Sequence, residues 1–399
     1  MCWIALKMLT GDKAKYIGIV AGVAFAALLI AQQASVGWGL LLRTTSTIQD
    51  LADVDIFVVD PNVEFIDELK PLTENDLYRV QGVEGVAWAV RFYKGQGRLK
   101  LDVGKPHQPG QPPDPGEFQQ VIVLGLDDQT LVGAPQHIVL GSLARLREPD
   151  AVIMDETGFK YLWPDEPLEN GIGKVLEMND RRAVIVGICK ARDTFQTFPI
   201  LYTRYHQAIQ FVPQERRVMS AILVQAKEGE DRHEVCRRIE EQTQQKAGRP
   251  GLKALTREEF MWSNISYFMR RTGIILNFSI TVGLGFIVGC AIAGQTFYTF
   301  TLENLNQFGS LKAMGVSNLR IVGMVLFQGL VVGVIGYGIG VGLAALFGET
   351  FPRFSRIAFR MSWEVLAGTA AAVAIIVVLS SLLSIRKVLH LEPAVVFRG

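Results

Sequence analysis

Hydrophobic and polar positions separate along this chain into long blocks. Four blocks contain no Asp, Glu, Lys or Arg: residues 16–42, 272–302, 321–348 and 365–385. Each reaches the roughly 20 apolar residues that cross a bilayer as a helix. The hydrocarbon core offers the backbone no hydrogen-bond partners, and the runs lack the alternation of barrel strands, so the pattern predicts four transmembrane helices. A purely soluble globular enzyme is excluded.

The residues between the first and second predicted spans follow a different pattern. The stretch 43–271 is polar, and short β-rich runs such as 55–60 alternate there with helical segments. Thr73 opens a sequence similar to a capping box, with Asp76 in the position usually held by Glu, and this predicts a helix through Val80. The stretch therefore reads as a mixed α/β domain.

This α/β domain is expected to be split. A Pro-rich run at residues 106–115 predicts a loop, and strand–helix–strand units flank a β-rich middle. We expect residues 48–105 to pair with residues 219–260 as a porter-like part, and residues 116–213 to form an inserted β-rich subdomain. The rest of the chain is an amphipathic tail, two short connections and a second tail: residues 1–15, 303–320, 349–364 and 386–399.

Charge gives the expected orientation. Eight Lys and Arg residues lie near the spans on the side of the chain ends and six on the other side, a bias that favours chain ends in the cytoplasm. The eight are Lys7, Lys13, Lys15, Lys312, Arg320, Arg386, Lys387 and Arg398; the six are Arg43, Arg270, Arg271, Arg353, Arg356 and Arg360. The expected fold is an α-helical membrane protein with four transmembrane helices and a large mixed α/β extracytoplasmic domain inserted between the first two. The net charge is only +1, whereas nucleic-acid binders usually carry a strong basic excess, so no nucleic-acid partner is expected.

Catalytic motifs are missing from the sequence. It contains no G-x-x-x-x-G-K-[ST], no H-E-x-x-H, no paired C-x-x-C and no G-x-S-x-G. No catalytic residue, cofactor or metal is therefore expected, and the chain is not expected to be an enzyme. His233 and Cys236 lie on a polar helix without a second ligand pair. Whether Cys189 and Cys236 form a disulfide stays open, with two unpaired thiols favoured.

Glycine is concentrated in the second and third spans. Residues 272–348 hold 15 glycines, and four-residue spacing of small residues lets helix backbones approach closely. This indicates either a specific seam, in the bundle or in a dimer, or generic membrane packing. Because the spans carry no charge, an ion-coupled carrier is disfavoured and the energy source would be another protein. The expected packing glycines are Gly285, Gly289, Gly329, Gly333, Gly338 and Gly342.

The connection between the second and third spans has the most specific sequence. Its segment from Gly309 to Gly315 reads GSLKAMG and resembles the cytoplasmic loop of MacB/FtsX/LolC-type ABC permeases, which follows a G-x-L-[KR]-A-[LM]-G pattern. The C-terminal Leu391-Glu-Pro-Ala394 resembles the end of the same family. The order of one helix, a large domain and three helices also matches, and short DevC-like permeases are the most similar group. Gln307 departs from the family, which often has an acidic residue there.

The resemblance implies a non-catalytic, multi-pass permease subunit of an ABC exporter in the bacterial inner membrane, with its large domain in the periplasm. Such permeases are homodimers bound to a separate ATPase, which moves the periplasmic domain by mechanotransmission. DevC-like members imply an HlyD-like periplasmic adaptor and a TolC-like outer-membrane channel, for tripartite efflux or the export of lipids or lipopeptides. We expect Leu311, Met314 and Gly315 to form an apolar stripe on a helix of one or two turns. The residues assigned to ATPase contact are Gly309, Leu311, Lys312, Ala313, Met314 and Gly315.

Alternatives remain for this connection and for the whole chain. The apolar stripe could pack back on the helix bundle or dip into the lipid headgroups. An FtsX-like protein would regulate a cell-wall hydrolase and transport nothing, although its external domain is usually much smaller than residues 43–271. A membrane-anchored sensor would need no ATPase. Membrane lipid is a further expected partner, because Arg353, Arg356 and Arg360 would share one face of a short surface helix.

Overall fold

Two compact units make up the chain: the apolar helices, from Met1–Leu40 and Thr272–Gly399, and a polar α/β unit, Leu41–Arg271. The computed structural model describes residues 2–51, 53–100, 118–213, 218–244, 251–351 and 356–389. Within these residues, four helices are long and apolar enough to cross a membrane, and in sequence the mixed α/β unit comes between the first and second of them. The predicted fold class is therefore confirmed.

The helices comprise long membrane spans and shorter elements, most of the latter in the α/β unit. Those within the described residues are α1 (Cys2–Gly11), α2 (Lys13–Arg43), α3 (Ser46–Asp50), α4 (Glu74–Gln81), α5 (Glu156–Leu162), α6 (Tyr205–Ala208), α7 (Arg232–Thr243), α8 (Arg257–Arg271), α9 (Ile274–Glu303), α10 (Leu305–Ala313), α11 (Asn318–Thr350) and α12 (Trp363–Leu389). The four spans are α2, α9, α11 and α12, the last over Trp363–Ile385.

The α/β unit is built on one mixed sheet. Its strands are β1 (Ile56–Val59), β2 (Val86–Lys100), β3 (Phe118–Leu126), β4 (His137–Gly141), β5 (Ala151–Asp155), β6 (Val175–Met178), β7 (Arg181–Lys190), β8 (Ile200–Arg204), β9 (Ala221–Ala226) and β10 (Lys253–Thr256). They lie in the order β10-β1-β9-β2-β3-β8-β5-β7-β4, and β6 pairs with β2 and β7. The β3–β8 and β5–β7 pairs are parallel and the other pairs are antiparallel.

The long strand β2 joins two parts of this sheet, called here the outer part (β1, β9 and β10) and the inner part (β3, β8, β5, β7 and β4). Its first half pairs with β9, from Val86 to Phe92, and its second half pairs with β3, from Tyr93 to Lys100. Strands β1, β9 and β10 therefore lie on one side of β2, and β3, β8, β5, β7 and β4 lie on the other. Strands from the beginning and the end of the domain sequence therefore pair with each other. Strands from the middle of the domain sequence extend the sheet on the other side of β2.

Each face of the sheet has its own hydrophobic core. Alternating strand residues divide between the two faces, so that Ile56 packs in one core and Phe57 in the other. Helices α4 and α7 cover the first face, with Val80 and Ile239 fully buried. Helices α3 and α8 cover the second face, through residues such as Phe260. The two chain segments next to the spans thus pack on the same face.

The predicted start of α4 is confirmed in atomic detail. The Thr73 hydroxyl accepts a hydrogen bond from the Asp76 amide at 3.4 Å, and the Asp76 carboxylate accepts one from the Thr73 amide at 3.0 Å. This is a reciprocal capping box in which Asp replaces Glu.

The prediction of a short surface helix in the connection before α12 is wrong for the residues of that connection that the structure describes. Residues 356–362 are not helical, and Arg356 has a φ of 49°, which interrupts a helix. Beyond it, the Arg360 amide donates to the Ser35 carbonyl at 3.0 Å. A Cβ at Gly39 would lie 2.9 Å from the backbone nitrogen of Phe359, so this close approach of backbones requires glycine. Arg353 lies outside the described residues.

The two cysteines of the α/β unit are free thiols. Cys189 lies on β7 and Cys236 on α7, and both are buried. Burial raises the pKa of Cys236 to about 12, and burial together with Asp155 and Asp50 raises the pKa of Cys189 well above its usual range. Both residues pack as small apolar side chains in separate cores.

Candidate functional site

The short helix α10 lies between the second and third spans and is firmly anchored. Its Phe308 side chain is 1% exposed and packs against Ile321 and Val325 of α11 and Ile385 of α12. The next residue, Gly309, is also buried. A fully buried aromatic side chain contributes about 1.5–3 kcal/mol relative to an exposed one. Phe308 therefore packs α10 against the ends of these two helices.

The end of α10 is a Schellman motif. The Gly315 amide donates to the Lys312 carbonyl at 3.0 Å, and the Val316 amide donates to the Leu311 carbonyl at 3.1 Å. Gly315 has a φ of +85°, the left-handed conformation that this motif requires. Because α10 ends at Ala313, Leu311 lies on the helix, whereas Met314 and Gly315 of the expected apolar stripe lie just beyond its end.

Two large apolar side chains project from this turn. Met314 is 73% exposed, and Leu319, in the first turn of α11, is 82% exposed. Of the other predicted contact residues, Ala313 is exposed, whereas Leu311 and Lys312 are half-buried. Leu319 lies outside the GSLKAMG segment. Only its apolar character among the polar residues that begin α11 could have indicated it from the sequence. The arrangement suits binding of an apolar surface.

An ion-pair cluster fixes the neighbouring ends of α2 and α9. Lys15 pairs with Glu303, the last residue of α9, and its Nζ lies 2.9 Å from the Asp12 carboxylate. Hydrogen bonds from Lys15 lower the pKa of Asp12. Beside this cluster, α1 and the start of α10 border a groove of about 650 Å³, whose lining includes Trp3 and Gln307. Gln307, the residue that departs from the family pattern, therefore lies at the groove and not in the cluster.

The glycines of α9 lie where this helix meets α2. A Cβ at Gly289 would be 2.4 Å from the Cβ of Ala26, and one at Gly285 would be 3.3 Å from that of Leu29. These glycines are buried and let the two backbones approach closely.

The glycines of α11 divide between two environments. Gly329 and Gly333 face Val377 of α12, which lies 2.8 and 3.0 Å from the position of a Cβ at each glycine. Among the described residues, no atom outside the neighbouring backbone of α11 lies within 4 Å of a Cβ at Gly338 or Gly342. The last two point away from the bundle of this chain.

The α11 contact with α2 uses two glycines outside the predicted set, Gly336 and Gly340. A Cβ at Gly340 would lie 2.4 Å from the Ala24 carbonyl oxygen, and one at Gly336 would lie 2.8 Å from Val23. In the run GYGIGVG every second residue is glycine, and successive glycines differ by about 200° around a helix. The spacing alone therefore does not reveal which pair faces the bundle.

Metal-ligating side chains do not gather in the part of the chain that the structure describes. No group of three or more His, Cys, Asp or Glu residues there could hold a metal ion. His233, the candidate ligand considered from the sequence, instead lies 3.2 Å from the carboxylate of Glu259.

The layout just described defines a class of membrane protein: four spans, an α/β domain between the first two, and a short anchored helix between the second and third. Comparison with known families agrees with it. The MacB-like periplasmic core domain matches residues 16–242, and the FtsX-like permease C-terminal domain matches residues 274–393. The chain belongs to the MacB/FtsX-type family of ABC transporter permeases. It is thus a multi-pass membrane protein whose large domain corresponds to the periplasmic core domain of that family.

Individual relatives carry the same description. An uncharacterized ABC transporter permease of Methanocaldococcus jannaschii is 24% identical over 235 residues, covering 57% of this chain and 58% of the relative. An uncharacterized ABC transporter permease of Mycobacterium tuberculosis is 27% identical over 121 residues, covering 30% of this chain and 34% of the relative. The matches therefore cover about a third to somewhat over half of the length of these relatives.

Two solved structures are similar at 12% sequence identity. The extracellular domain of the noncanonic ABC-type transporter YknZ from Gram-positive bacteria has a TM-score of 0.36 and covers 51% of this chain and 98% of its own. The periplasmic region of MacB from Actinobacillus actinomycetemcomitans has a TM-score of 0.37, with coverages of 53% and 94%.

Proposed function

We propose that this chain is the non-catalytic permease subunit of an ABC exporter that works by mechanotransmission. In this proposal a separate ATPase binds the turn after α10, and its ATP-driven closure displaces the spans and moves the α/β domain. The observation that carries the proposal is the exposure of Met314 and Leu319 on a turn that Phe308 anchors to the spans. Family membership among ABC transporter permeases supports the choice of an ATPase as the partner.

Burial energetics favour a protein partner at this turn. Covering an exposed Leu or Met side chain contributes about 1.5–3 kcal/mol, so Met314 and Leu319 together would supply several kcal/mol of binding free energy. The Schellman motif fixes the position of Met314 before binding, and Leu319 is held on α11, which lowers the entropic cost of association. A rigid, apolar projection joined to two spans is suited to both binding and transmission of force.

The spans fit a role in movement better than a role in conduction. They carry no charged residue over the four apolar runs, and such residues usually mark ion or proton paths. Contacts such as Gly289 against Ala26 bring helix backbones close together without interlocking large side chains. We extend the proposal to a homodimer, which would supply eight spans. We also include an HlyD-like adaptor and a TolC-like channel for tripartite efflux or the export of lipids or lipopeptides.

Co-purification with the cognate ABC ATPase tests the proposal. Met314→Glu and Leu319→Glu each place a charge in the exposed turn, and each should abolish ATPase binding and coupled hydrolysis. Val139→Glu is the matched control, because Val139 is an exposed apolar residue on β4, in the α/β unit. It should leave both properties unchanged. Normal binding and turnover by both turn variants would refute the assignment and favour the sensor alternative.

A further inference from the structure

The connection from β7 to β8, residues 191–199, is here called the link segment. It is fixed at both ends by the inner part of the sheet. It follows β7 directly and runs into β8, where the Ile200 amide donates to the Asp155 carboxylate at 2.6 Å. Within it, Thr194 is buried and Thr197 has a φ of 55°. A displacement of the link segment is therefore passed to β7 and β8.

The link segment is held by the chain that emerges from the first span. Arg43, the last residue of α2, lies 3.1 Å from the Asp193 carboxylate, and the Ser46 hydroxyl donates to the Asp193 carbonyl at 2.8 Å. Asp50, at the end of α3, accepts from the Arg192 amide at 3.0 Å and also pairs with its guanidinium. Three residues within residues 43–50 thus hold two adjacent residues of the link segment.

The same segment touches the helix that leads into the second span. The ring of Phe195 lies 4.8 Å from that of Phe268 on α8, and Phe268 is 5% exposed. Helix α8 is itself fixed to the domain, because the buried Asn264 amide accepts from the Ile66 amide and donates to the Phe260 carbonyl. Helix α8 ends three residues before α9 begins.

We infer that the link segment is the contact through which movement of the first and second spans reaches the inner strands β3–β8. Helices α3 and α8 pack on one face of the sheet, and the link segment joins both of them to two strands of its inner part. This inference rests on the proposed mechanotransmission and adds to it a specific route. Arg43 and Asp193 are positioning residues in this route.

The Arg43–Asp193 pair gives the inference a reversible test. Its side chains are 16% and 27% exposed, so it is less screened by solvent than a surface pair. Arg43→Glu or Asp193→Lys alone replaces attraction by repulsion, and the double variant restores an opposite-charge pair. Arg145→Glu is the matched control, because Arg145 pairs with Glu148 at 2.8 Å on the exposed surface of the same unit.

The experiment uses the full-length permease assembled with its ATPase in nanodiscs. Nitroxide labels on p-acetylphenylalanine report two distances by pulsed electron resonance, with and without ATP and vanadate. One pair, at Tyr78 on α4 and Val139 on β4, reports movement within the α/β unit. The other pair, at Leu276 and Leu346, reports movement between α9 and α11. All four positions are exposed.

Both distances should shift with nucleotide in the unmodified protein and in the Arg145→Glu control. Each single charge reversal should remove the nucleotide-dependent shift between positions 78 and 139 and keep the shift between positions 276 and 346. The double reversal should restore the shift between positions 78 and 139. A single reversal that only lowers the unfolding temperature and keeps both shifts would overturn the inference. A missing shift between positions 276 and 346 in the unmodified protein would overturn the proposed function, and this inference with it.

Discussion

Gly315 decides how α10 ends and therefore where Met314 points. Its φ of +85° is accessible to glycine at little cost, whereas an L-residue is strained there. The motif that was recognised as GSLKAMG is thus a helix followed by a left-handed turn. The final glycine sets the backbone conformation of this turn.

Replacement of Gly315 by Ala should weaken ATPase binding by strain alone. The penalty for a left-handed alanine is about 1 kcal/mol, so the dissociation constant should rise several-fold if the turn must reform on binding. Titration of the ATPase against nanodisc-embedded permease measures it. Gly229→Ala, at another left-handed glycine in the α/β unit, should be without effect on binding. Equal affinity of Gly315→Ala and the unmodified protein would show that the turn conformation is not required.

The buried thiols give a second prediction at the residue scale. Because burial raises the pKa values of Cys189 and Cys236, both stay protonated between about pH 7 and pH 9 and react slowly with thiol reagents. An exposed cysteine introduced as Ser310→Cys should instead react faster as pH rises toward its ordinary pKa of about 8.5. Maleimide labelling with peptide mapping distinguishes the sites. Recovery of a peptide linked through Cys189 and Cys236 would contradict the free-thiol assignment.

Among the elements, α11 makes the clearest prediction. Gly340 faces the Ala24 carbonyl of α2, whereas Gly338 faces no other helix within the described part of the chain. Gly340→Leu should force α2 and α11 apart and lower the unfolding temperature in detergent, because overpacking costs typically about 1–3 kcal/mol. Gly338→Leu should leave the bundle intact and disrupt the proposed dimer. Size-exclusion chromatography with light scattering and a thermal scan measure both effects, and equal unfolding temperatures for the two variants would contradict the packing described.

Prediction from sequence succeeds for elements whose signal is local. The spans follow from charge-free runs whose length alone meets the bilayer requirement, and α4 follows from the capping pair Thr73 and Asp76. The strand β2 was not predicted, since Lys94, Gly95 and Gly97 interrupt its apolar pattern. Its extended conformation depends on pairing with β9 and β3, which lie far away in sequence.

The candidate site likewise combines features that local sequence predicts with features that depend on distant packing. The GSLKAMG segment identified the region, but the exposure of Leu319 depends on how α11 begins after the turn. Likewise, which glycines of the GYGIGVG run face α2 depends on the rotation of α11 in the bundle. Both properties are set by packing between helices that are remote in sequence.

For the whole molecule, topology is the property most easily tested. The α10 turn and the α/β unit should lie on opposite sides of the membrane, since one span, α9, separates them. In intact cells an impermeant maleimide should label Val139→Cys and should not label Ser310→Cys until the inner membrane is permeabilised. Labelling of Ser310→Cys from outside would contradict the cytoplasmic placement of the turn.

Energy supply is a second property of the whole assembly. The chain has no phosphate-binding loop of the G-x-x-x-x-G-K-[ST] type, so the purified permease should not hydrolyse ATP by itself. Hydrolysis should appear on addition of the ATPase and depend on the turn after α10. Activity that stays with the permease through stringent purification would contradict the assignment of a non-catalytic subunit.

Photo-crosslinking from the α10 turn tests the central claim most directly. A benzoylphenylalanine at position 314 replaces a side chain that is 73% exposed, and the same probe at position 330, on α11, replaces one that is 60% exposed within a span. On irradiation of whole cells, the probe at position 314 should form an adduct with the ABC ATPase, identified by mass spectrometry, and the probe at position 330 should not. Adducts from position 314 with lipid alone would contradict the account.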